Sequence, residues 1–547
     1  MSWGAVLYEV ATGQRVFSGE TVAMNALATG AYVPPSHVNP QLTSEFNAVI
    51  ARCLEGDRTR RYPDGAALLA ELKRPRVTPN GSIRSRPREF EDSIAVFPFE
   101  SATDEQREYL TDGITDAIIN RLARLRRLRV VPRTTMFRYR DRRAEPIQAG
   151  RELRARAVLT GRVAERGDQF IIDAELVDTA RESQLWGGEY RRTLCDVLTV
   201  EEEIAGEVAK QLQFQLSDDE NAHLIRRPSR NREAYHLFVK GWYYANKWSP
   251  EGLQKGLAYT RQAIEADPAF AEPYAVLAYV YSMLGHFGTL APADAFPKAK
   301  AAALRAVAID ETAAGVHSSL GLIHLLYDWD WSTAEAEIRR GLELAPNDAA
   351  GHFAYGEWFT AMGRFEEAVL ELERALDLDP LSSPINANLA AAYSFVGQHD
   401  RAIAHIRSTI DLDPSLMAAQ SLFAVLLSRA GHFDEAVAEA ERCFRVPGSG
   451  LWGKSALAII YATAGRTEEA RRIAEELEVE RPLSTLSSGL ARIYAALGDH
   501  DQALKWLEEA YQARSSNLAF VCQMPELQGL RGDPRFVDLL HRIGLPQ

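Results

Sequence analysis

Three stretches of this 547-residue chain have residue types and spacings that could do chemistry. Gly448-Ser449-Gly450-Leu451-Trp452-Gly453-Lys454-Ser455 matches GxxxxGKS letter for letter, the pattern of a loop whose backbone N–H groups wrap nucleotide phosphates. Such a loop follows a buried strand. Here residues 434 to 446 read as a helix and residues 453 to 455 fall inside the next one, so the match is read as coincidence. Asp328-x-Asp330-x-Ser332 starts like a calcium loop, but its sixth position is Thr333 instead of glycine and its twelfth is Arg339 instead of glutamate. The third stretch, Arg121 to Arg156, holds 13 arginines against Asp141, Glu145 and Glu152, with Phe137 and Tyr139 interleaved as a nucleic-acid surface would require. Only nine of the chain's cations are lysines, so arginine is its default positive charge and a solvated or internally paired face is the plainer expectation. The 12 histidines include no HExxH, and no nucleophile motif is recognised. No catalytic, cofactor-binding or metal residue is assigned, and no cofactor is implied.

The elements that must position any site are set by a beat of 34 residues. Glycines recur at 363, 397, 431 and 465, with Gly498 one residue early, and each is followed five residues later by Ala368, Ala402, Ala436, Ala470 or Ala503. Pro346, Pro380 and Pro414 keep the same step, and Pro482 lies two steps on. Each unit therefore reads as helix, glycine turn, helix, proline stop, with the small alanine letting the second helix approach the first. Both spacing and residue types resemble the tetratricopeptide repeat, best in 349 to 382, where Gly356, Phe359, Gly363, Ala368, Ala375 and Pro380 fall at the signature places. Further units are expected from 237, 271, 315, 383, 417, 451 and about 484, the one from 271 carrying about ten extra residues, with 518 to 547 as a cap.

That resemblance implies a concave groove lined by the first helix of each unit. Its inward positions would be Glu272, Ala275, Tyr279, Ser319, Ile323, Phe353, Glu357, Ala387, Ser394, Ser421, Val425, Trp452, Ser455 and Ile459. Lysine and asparagine are missing from this set, so the groove is expected to take an apolar or neutral protein or peptide segment. Alternatively several of the aromatics, Tyr279 and Phe353 above all, pack between units.

A chain of this length exceeds one core, and 46% hydrophobic with 25% charged residues is ordinary globular usage. Cys53, Cys195, Cys443 and Cys522 form no CxxC pair, which points to neither a disulfide framework nor a zinc site and fits a reducing cytoplasm. No window approaches a membrane span and no export signal is visible. The net charge of -13 argues against nonspecific nucleic-acid binding.

Residues 92 to 215 alternate strands and helices. Strands are expected at Ser93 to Phe99, 129 to 131, 157 to 163, 170 to 177 and 184 to 190, and helices at 108 to 126, 146 to 154 and through Val200, Ile204, Val208 and Leu212. Ser93 to Phe99, Asp112-Gly113-Ile114-Thr115, Val158 to Val163, Leu185-Trp186, Glu189-Tyr190 and Glu203-Ile204-Ala205 resemble the TolB-like N-terminal domain of bacterial signalling proteins, as do Ala234-Tyr235, Gly241 and Asp328-Trp329-Asp330-Trp331 in the array that accompanies it. Relatives place a glycine before the Leu-Trp pair; this chain has Arg181-Glu182-Ser183-Gln184. The resemblance implies assembly or signalling.

Residues 1 to 74 resemble the last part of a bacterial serine/threonine kinase domain, through Ser2-Trp3-Gly4-Ala5-Val6-Leu7-Tyr8-Glu9, Thr12-Gly13, Phe17, Pro34-Pro35, Asn39-Pro40, Cys53-Leu54-Glu55, Asp57, Arg61 and Tyr62. Val16 and Arg58 depart from that pattern, where kinases carry proline. The chain holds no His-Arg-Asp or Asp-Phe-Gly triplet, no phosphate-covering glycine loop and no strand lysine, so it is expected to be kinase-dead as written.

The expected fold is mostly α, with a kinase large-lobe remnant at 1–74, a linker at 75–91, a TolB-like α/β domain at 92–215, a linker at 216–233, a tetratricopeptide superhelix at 234–517 and a cap at 518–547. The expected function is that of a cytoplasmic interaction scaffold in a bacterial signalling system. The alternatives are a fragment of a serine/threonine kinase whose catalytic part lies outside this chain, and a regulator touching nucleic acid through Arg121–Arg156.

Overall fold

The computed structural model describes residues 93–101, 108–125, 128–141, 145–166, 169–193, 200–212, 229, 231–247, 250–286, 288–412, 417–445, 450–479 and 484–545, together with Tyr8, 49–50, 52–53, 62 and 68. The chain divides into two compact units, Met1–Pro87 and Arg88–Gln547. In the first, Val49, Cys53 and Leu68 pack together beside Tyr62, and the Arg52 guanidinium lies 4.4 Å from the centre of the Tyr62 ring. Of the rest of the kinase-like pattern, Tyr8 is helical and buried, and the remaining residues from Ser2 to Asn39-Pro40 and at Leu54, Glu55, Asp57 and Arg61 lie outside the described residues.

The second unit opens with one mixed sheet. Its strands are β1 (Ser93–Val96), β2 (Glu100–Ser101), β3 (Arg129–Val130), β4 (Ala157–Arg166), β5 (Gln169–Asp178) and β6 (Ser183–Thr193). They lie in the order β3-β1-β4-β5-β6, with β2 also on β4; β1 pairs parallel with β3 and β4, while β4, β5 and β6 pair antiparallel. Helices α1 (Glu108–Leu122) and α4 (Val200–Gln211) cover one face through Ile114, Ile118, Ile204 and Val208. Helices α2 (Arg133–Asp141) and α3 (Pro146–Glu152) pack with Ala95, Val131 and Val158 in a separate cluster. The β5–β6 hairpin closes without the glycine of its relatives. Glu182 takes the left-handed conformation at φ 52°, and Asp178 Oδ1 accepts from the N–H groups of Ala180 and Arg181.

Eight helix pairs follow: α5 (Arg232–Ala245) and α6 (Pro250–Ala266); α7 (Ala271–His286) and α8 (Pro292–Ile309); α9 (Ala314–Ile323) and α10 (Trp331–Leu344); α11 (Ala349–Ala361) and α12 (Phe365–Leu378); α13 (Ser383–Phe395) and α14 (His399–Leu412); α15 (Met417–Arg429) and α16 (Phe433–Phe444); α17 (Gly450–Thr463) and α18 (Thr467–Val479); α19 (Ser484–Ala496) and α20 (His500–Gln512). The turn glycines do what the beat requires. Gly363, Gly397, Gly431, Gly465 and Gly498 all have φ between 70° and 84°. At each, two back-bonds end the first helix; the Gly363 N–H donates to Thr360 O and the Arg364 N–H to Phe359 O. Ala368, Ala402, Ala436, Ala470 and Ala503 are fully buried where the second helix meets the first. Gly356 sits so close to α12 that a Cβ there would lie 2.6 Å from Leu372 Cγ.

First helices of neighbouring pairs touch one another, which places them on the inner side of the curved stack. Beyond α20 the chain forms two 3-10 segments, Ser516–Gln523 and Pro525–Leu530, and then α21 (Pro534–Ile543). Leu518, Val521, Leu527, Leu530 and Phe536 are buried in the same core as the later repeats, which makes the tail the end cover of the stack.

Candidate partner groove

The motifs that first suggested chemistry have structural uses. Residues 450 to 455 of the GxxxxGKS match lie in α17, not in a loop after a strand, and Gly448 and Ser449 lie outside the described residues. Asp328 pairs with Lys300 at 2.6 Å, and Asp330 caps α10 by accepting from the Thr333 N–H. Among the described residues no group of His, Cys, Asp and Glu could hold a metal ion, and no helix is long and apolar enough to cross a membrane.

Among the described residues of the arginine block, several arginines are held internally, while Arg126, Arg127, Arg142 and Arg143 lie outside the described residues. Arg121 reaches Glu201 at 3.2 Å, Arg133 reaches Asp116, Arg140 bonds Asp112 and lies 2.9 Å from Glu108, and Arg151 meets Glu182. Arg129 donates to the carbonyls of Leu153 and Asp377. These acids come from distant segments, so they were invisible in the composition of the block itself.

Several of these contacts join the α/β domain to the repeats. The Tyr235 hydroxyl on α5 donates to Glu201 at 2.8 Å, and Tyr243 donates to Glu108. Thr134 and Thr135 bond Asp379, Arg138 donates to Ser383 Oγ, and Leu381 packs into the α2–α3 cluster. Burial pushes the Glu201 carboxyl up to about 7, against the help of Arg121 and Tyr235. Asp116, buried between Arg133 and the indole of Trp242, is pushed up to about 6 for the same reason.

The inward register of the first helices is only partly a surface. Arg124 of the α/β domain lies 3.8 Å from Glu272, and Tyr279 packs edge-on against Trp242 at 5.8 Å. Ile323 and Ile459 are buried at 0% and 4% exposure and belong to the core, because neighbouring first helices close over them. Ser394 and Ser455 are also buried. The first bonds His399 Nδ1 at 3.3 Å, and the second lies where a Cβ on Gly489 would collide with its Oγ. Ser319 satisfies its hydroxyl on Gly315 O. Phe353, Glu357 and Val425 are half-buried, and burial raises the Glu357 carboxyl to about 7. Trp452 is on α17, with its side chain outside the described residues. Half-exposed positions thus remain in the middle of the array.

Two groove residues were missed because the inward set was followed only as far as Ile459. Ser488 and Arg492 continue the register of Ser455 and Ile459 in the last, compressed pair. Both hold the tail: Asn517 Nδ2 donates to Ser488 Oγ at 3.0 Å, and Arg492 makes a two-pronged contact with Glu526. The tail also reaches earlier pairs. Gln523 Nε2 donates to the carbonyls of Thr360 and Ala361 at the end of α11, and Trp331 Nε1 donates to Ile543 O.

Comparison with known proteins fits this architecture. A family model described as HilA/YgeH-like transcriptional regulator, second domain, matches residues 90–199, so the family found where a TolB-like domain was expected is the HilA/YgeH-like one instead. A tetratricopeptide repeat model matches residues 451–476 and 486–509. "Putative adenylate cyclase 3" of Rhizobium meliloti is 28% identical over 225 residues, covering 41% of this chain and 36% of the relative. "Probable serine/threonine-protein kinase CPE1738" of Clostridium perfringens is 33% identical over 96 residues, 17% of this chain and 14% of the relative. The chain thus spans about a third or less of the length of these relatives. Yeast Tom70 has 16% identity and a TM-score of 0.37, over 63% of this chain and 82% of that structure. The repeat model thus matches the last two helix pairs, and the earlier pairs share their helix, turn and helix build in one curved stack behind a small α/β domain.

Proposed function

We propose that this chain is a cytoplasmic scaffold of a bacterial signalling system that holds a protein segment in the middle of its repeat groove. The carrying observation is a stack of eight helix pairs whose first helices touch one another and keep Phe353, Glu357 and Val425 only partly buried. Likeness to a cyclase and a kinase, each covering a minority of the relative, supports the signalling context. In this reading the α/β domain is an assembly module of the kind its TolB-like resemblance implies, and the chain itself is kinase-dead. Phe353→Ala and Glu357→Lys should each reduce capture of partner from lysate of the source cell; if both leave it unchanged, the groove is not the site.

The match to a transcriptional regulator's second domain supports a second reading, in which the scaffold regulates transcription through protein contacts. Internal pairing of the arginine block favours that route over direct nucleic-acid contact. Duplex binding at low ionic strength that weakens steeply with salt would reverse this preference. The clostridial likeness also keeps the kinase-fragment reading. Kinase peptides from catalytic segments, found in the same native polypeptide as the repeats, would support it.

A further inference from the structure

The turn of the third repeat breaks the glycine rule. Trp329 stands one 34-residue period before Gly363, with Ala334 five residues after it in the alanine register. It nevertheless takes the left-handed conformation of the turn glycines, at φ 57°, at the end of a short π-helical stretch, His324–Asp328. A bulky side chain there is strained and persists only where the surroundings over-determine it.

The surroundings that hold it come from the far end of the array. Arg514, just past the end of α20, also occupies a left-handed turn position, at φ 52°, with the same back-bonding as the glycine turns: Arg514 N–H to Tyr511 O and Ser515 N–H to Ala510 O. Its guanidinium lies 4.6 Å from the centre of the Trp329 ring, and its Nη1 donates to Tyr327 O at 3.3 Å. The Tyr511 ring stacks on Trp329 with centroids 5.4 Å apart. Two of the four non-glycine residues with positive φ among the described residues therefore meet each other. Around this pair, Ser516 Oγ lies 3.2 Å from His286 Nδ1, Phe520 packs beside the cluster of Leu325 and Trp358, and Gln523 caps the carbonyl end of α11.

The contact is also not fully satisfied. Trp329 Nε1 and Gln523 Oε1 are buried without hydrogen-bond partners, and opening would let water reach both.

We propose that Trp329 and Arg514 form a latch that ties the last repeat and its tail to the third and fourth repeats, closing the groove, and that release of the latch admits the partner. This rests on the groove reading above. Glycine turns end helices without reaching anything. Here the same backbone position has been given side chains that reach across the superhelix, and strain at both ends biases the contact toward opening.

The test uses Arg514→Gly in the full chain, a change that removes the clamp while relaxing the backbone, so that α20 keeps its end. Amide hydrogen exchange over 324–331 and 516–523 should become about tenfold faster, with α14 and α16 unchanged and a larger radius of gyration by small-angle scattering. Unchanged exchange, or acceleration spread evenly over all repeats, overturns the latch. Should Arg514→Gly not fold, exchange in the wild-type chain decides: the two segments opening together ahead of α12 and α14 supports it, and opening in step with them overturns it. Faster exchange in Arg514→Gly with no gain in partner capture overturns the claim that release admits the partner, and unchanged exchange overturns the latch; the groove reading fails separately, if Phe353→Ala and Glu357→Lys leave capture unchanged.

Discussion

The repeat array is gripped by its own chain at two places, and the two grips are chemically opposite. At the α/β joint the contacts are polar and largely buried: the Tyr235 hydroxyl on Glu201, Tyr243 on Glu108, Thr134 and Thr135 on Asp379, and Arg129 on the Asp377 carbonyl. At the C-terminal joint they are a stacked aromatic pair, a guanidinium over an indole, and side-chain donors on backbone carbonyls, with Arg492–Glu526 as an ion pair inside the last repeat's own groove. Separating the first joint would leave Glu201 and Asp379, both buried, without the hydroxyl groups that bond them across it, which makes it the more fixed assembly. Separating the second strands little, because carbonyls and ring faces accept water.

The largest expected effect tests the fixed joint. Glu201→Ala takes a buried carboxylate from Arg121 and removes the acceptor of Tyr235; a loss of about 3–5 kcal/mol is expected in urea unfolding. Next comes the latch turn. Trp329→Ala should cost about 3 kcal/mol, and Trp329→Gly about 1 kcal/mol less, because glycine relieves the left-handed backbone while both lose the ring. At Gly431 the order inverts, and Gly431→Ala should cost about 1 kcal/mol in thermal unfolding.

A smaller effect separates the joints by pH. Glu201 and Asp116 are raised, so the folded state holds protons that the unfolded chain has released. Their contribution is most favourable below about pH 4 and is lost as pH rises to about 7. The groups facing them are Arg121, Tyr235 and Glu202 for the first, and Arg133, Asp112 and Trp242 for the second. His286, beside Ser516 in the other joint, is lowered by burial, and its contribution falls as pH drops below about 6.5. Hydrogen exchange at pH 5 and pH 8 should therefore show the α/β joint tighter in acid and the C-terminal joint looser. Smallest of all, Asp330→Ala should cost α10 about 1 kcal/mol through loss of its cap, seen as a modest drop in melting temperature.

What was legible in the sequence was what is local. The glycine–alanine beat states a backbone requirement and a packing distance within one hairpin, and alternating strands state a sheet. Trp329 kept the register of that beat but could not be read as a turn, since nothing in the preferences of tryptophan favours a left-handed backbone; the requirement comes from Arg514 and Tyr511. The groove was legible as a register but not as a surface. Whether Ile323 and Ile459 face a partner or the next helix depends on how tightly neighbouring pairs stack, and the inner positions near Glu272 lie against a domain encoded before the array.

Timing gives the C-terminal contact another meaning. Along the chain, 187 residues separate Arg514 from the carbonyl it holds on Tyr327. At about 5–20 residues per second of synthesis, the third repeat waits roughly ten to forty seconds before its clamp exists. Through that interval the stack can grow pair by pair with its inner side open, so a segment that folds or binds alongside the nascent array meets an unlatched groove.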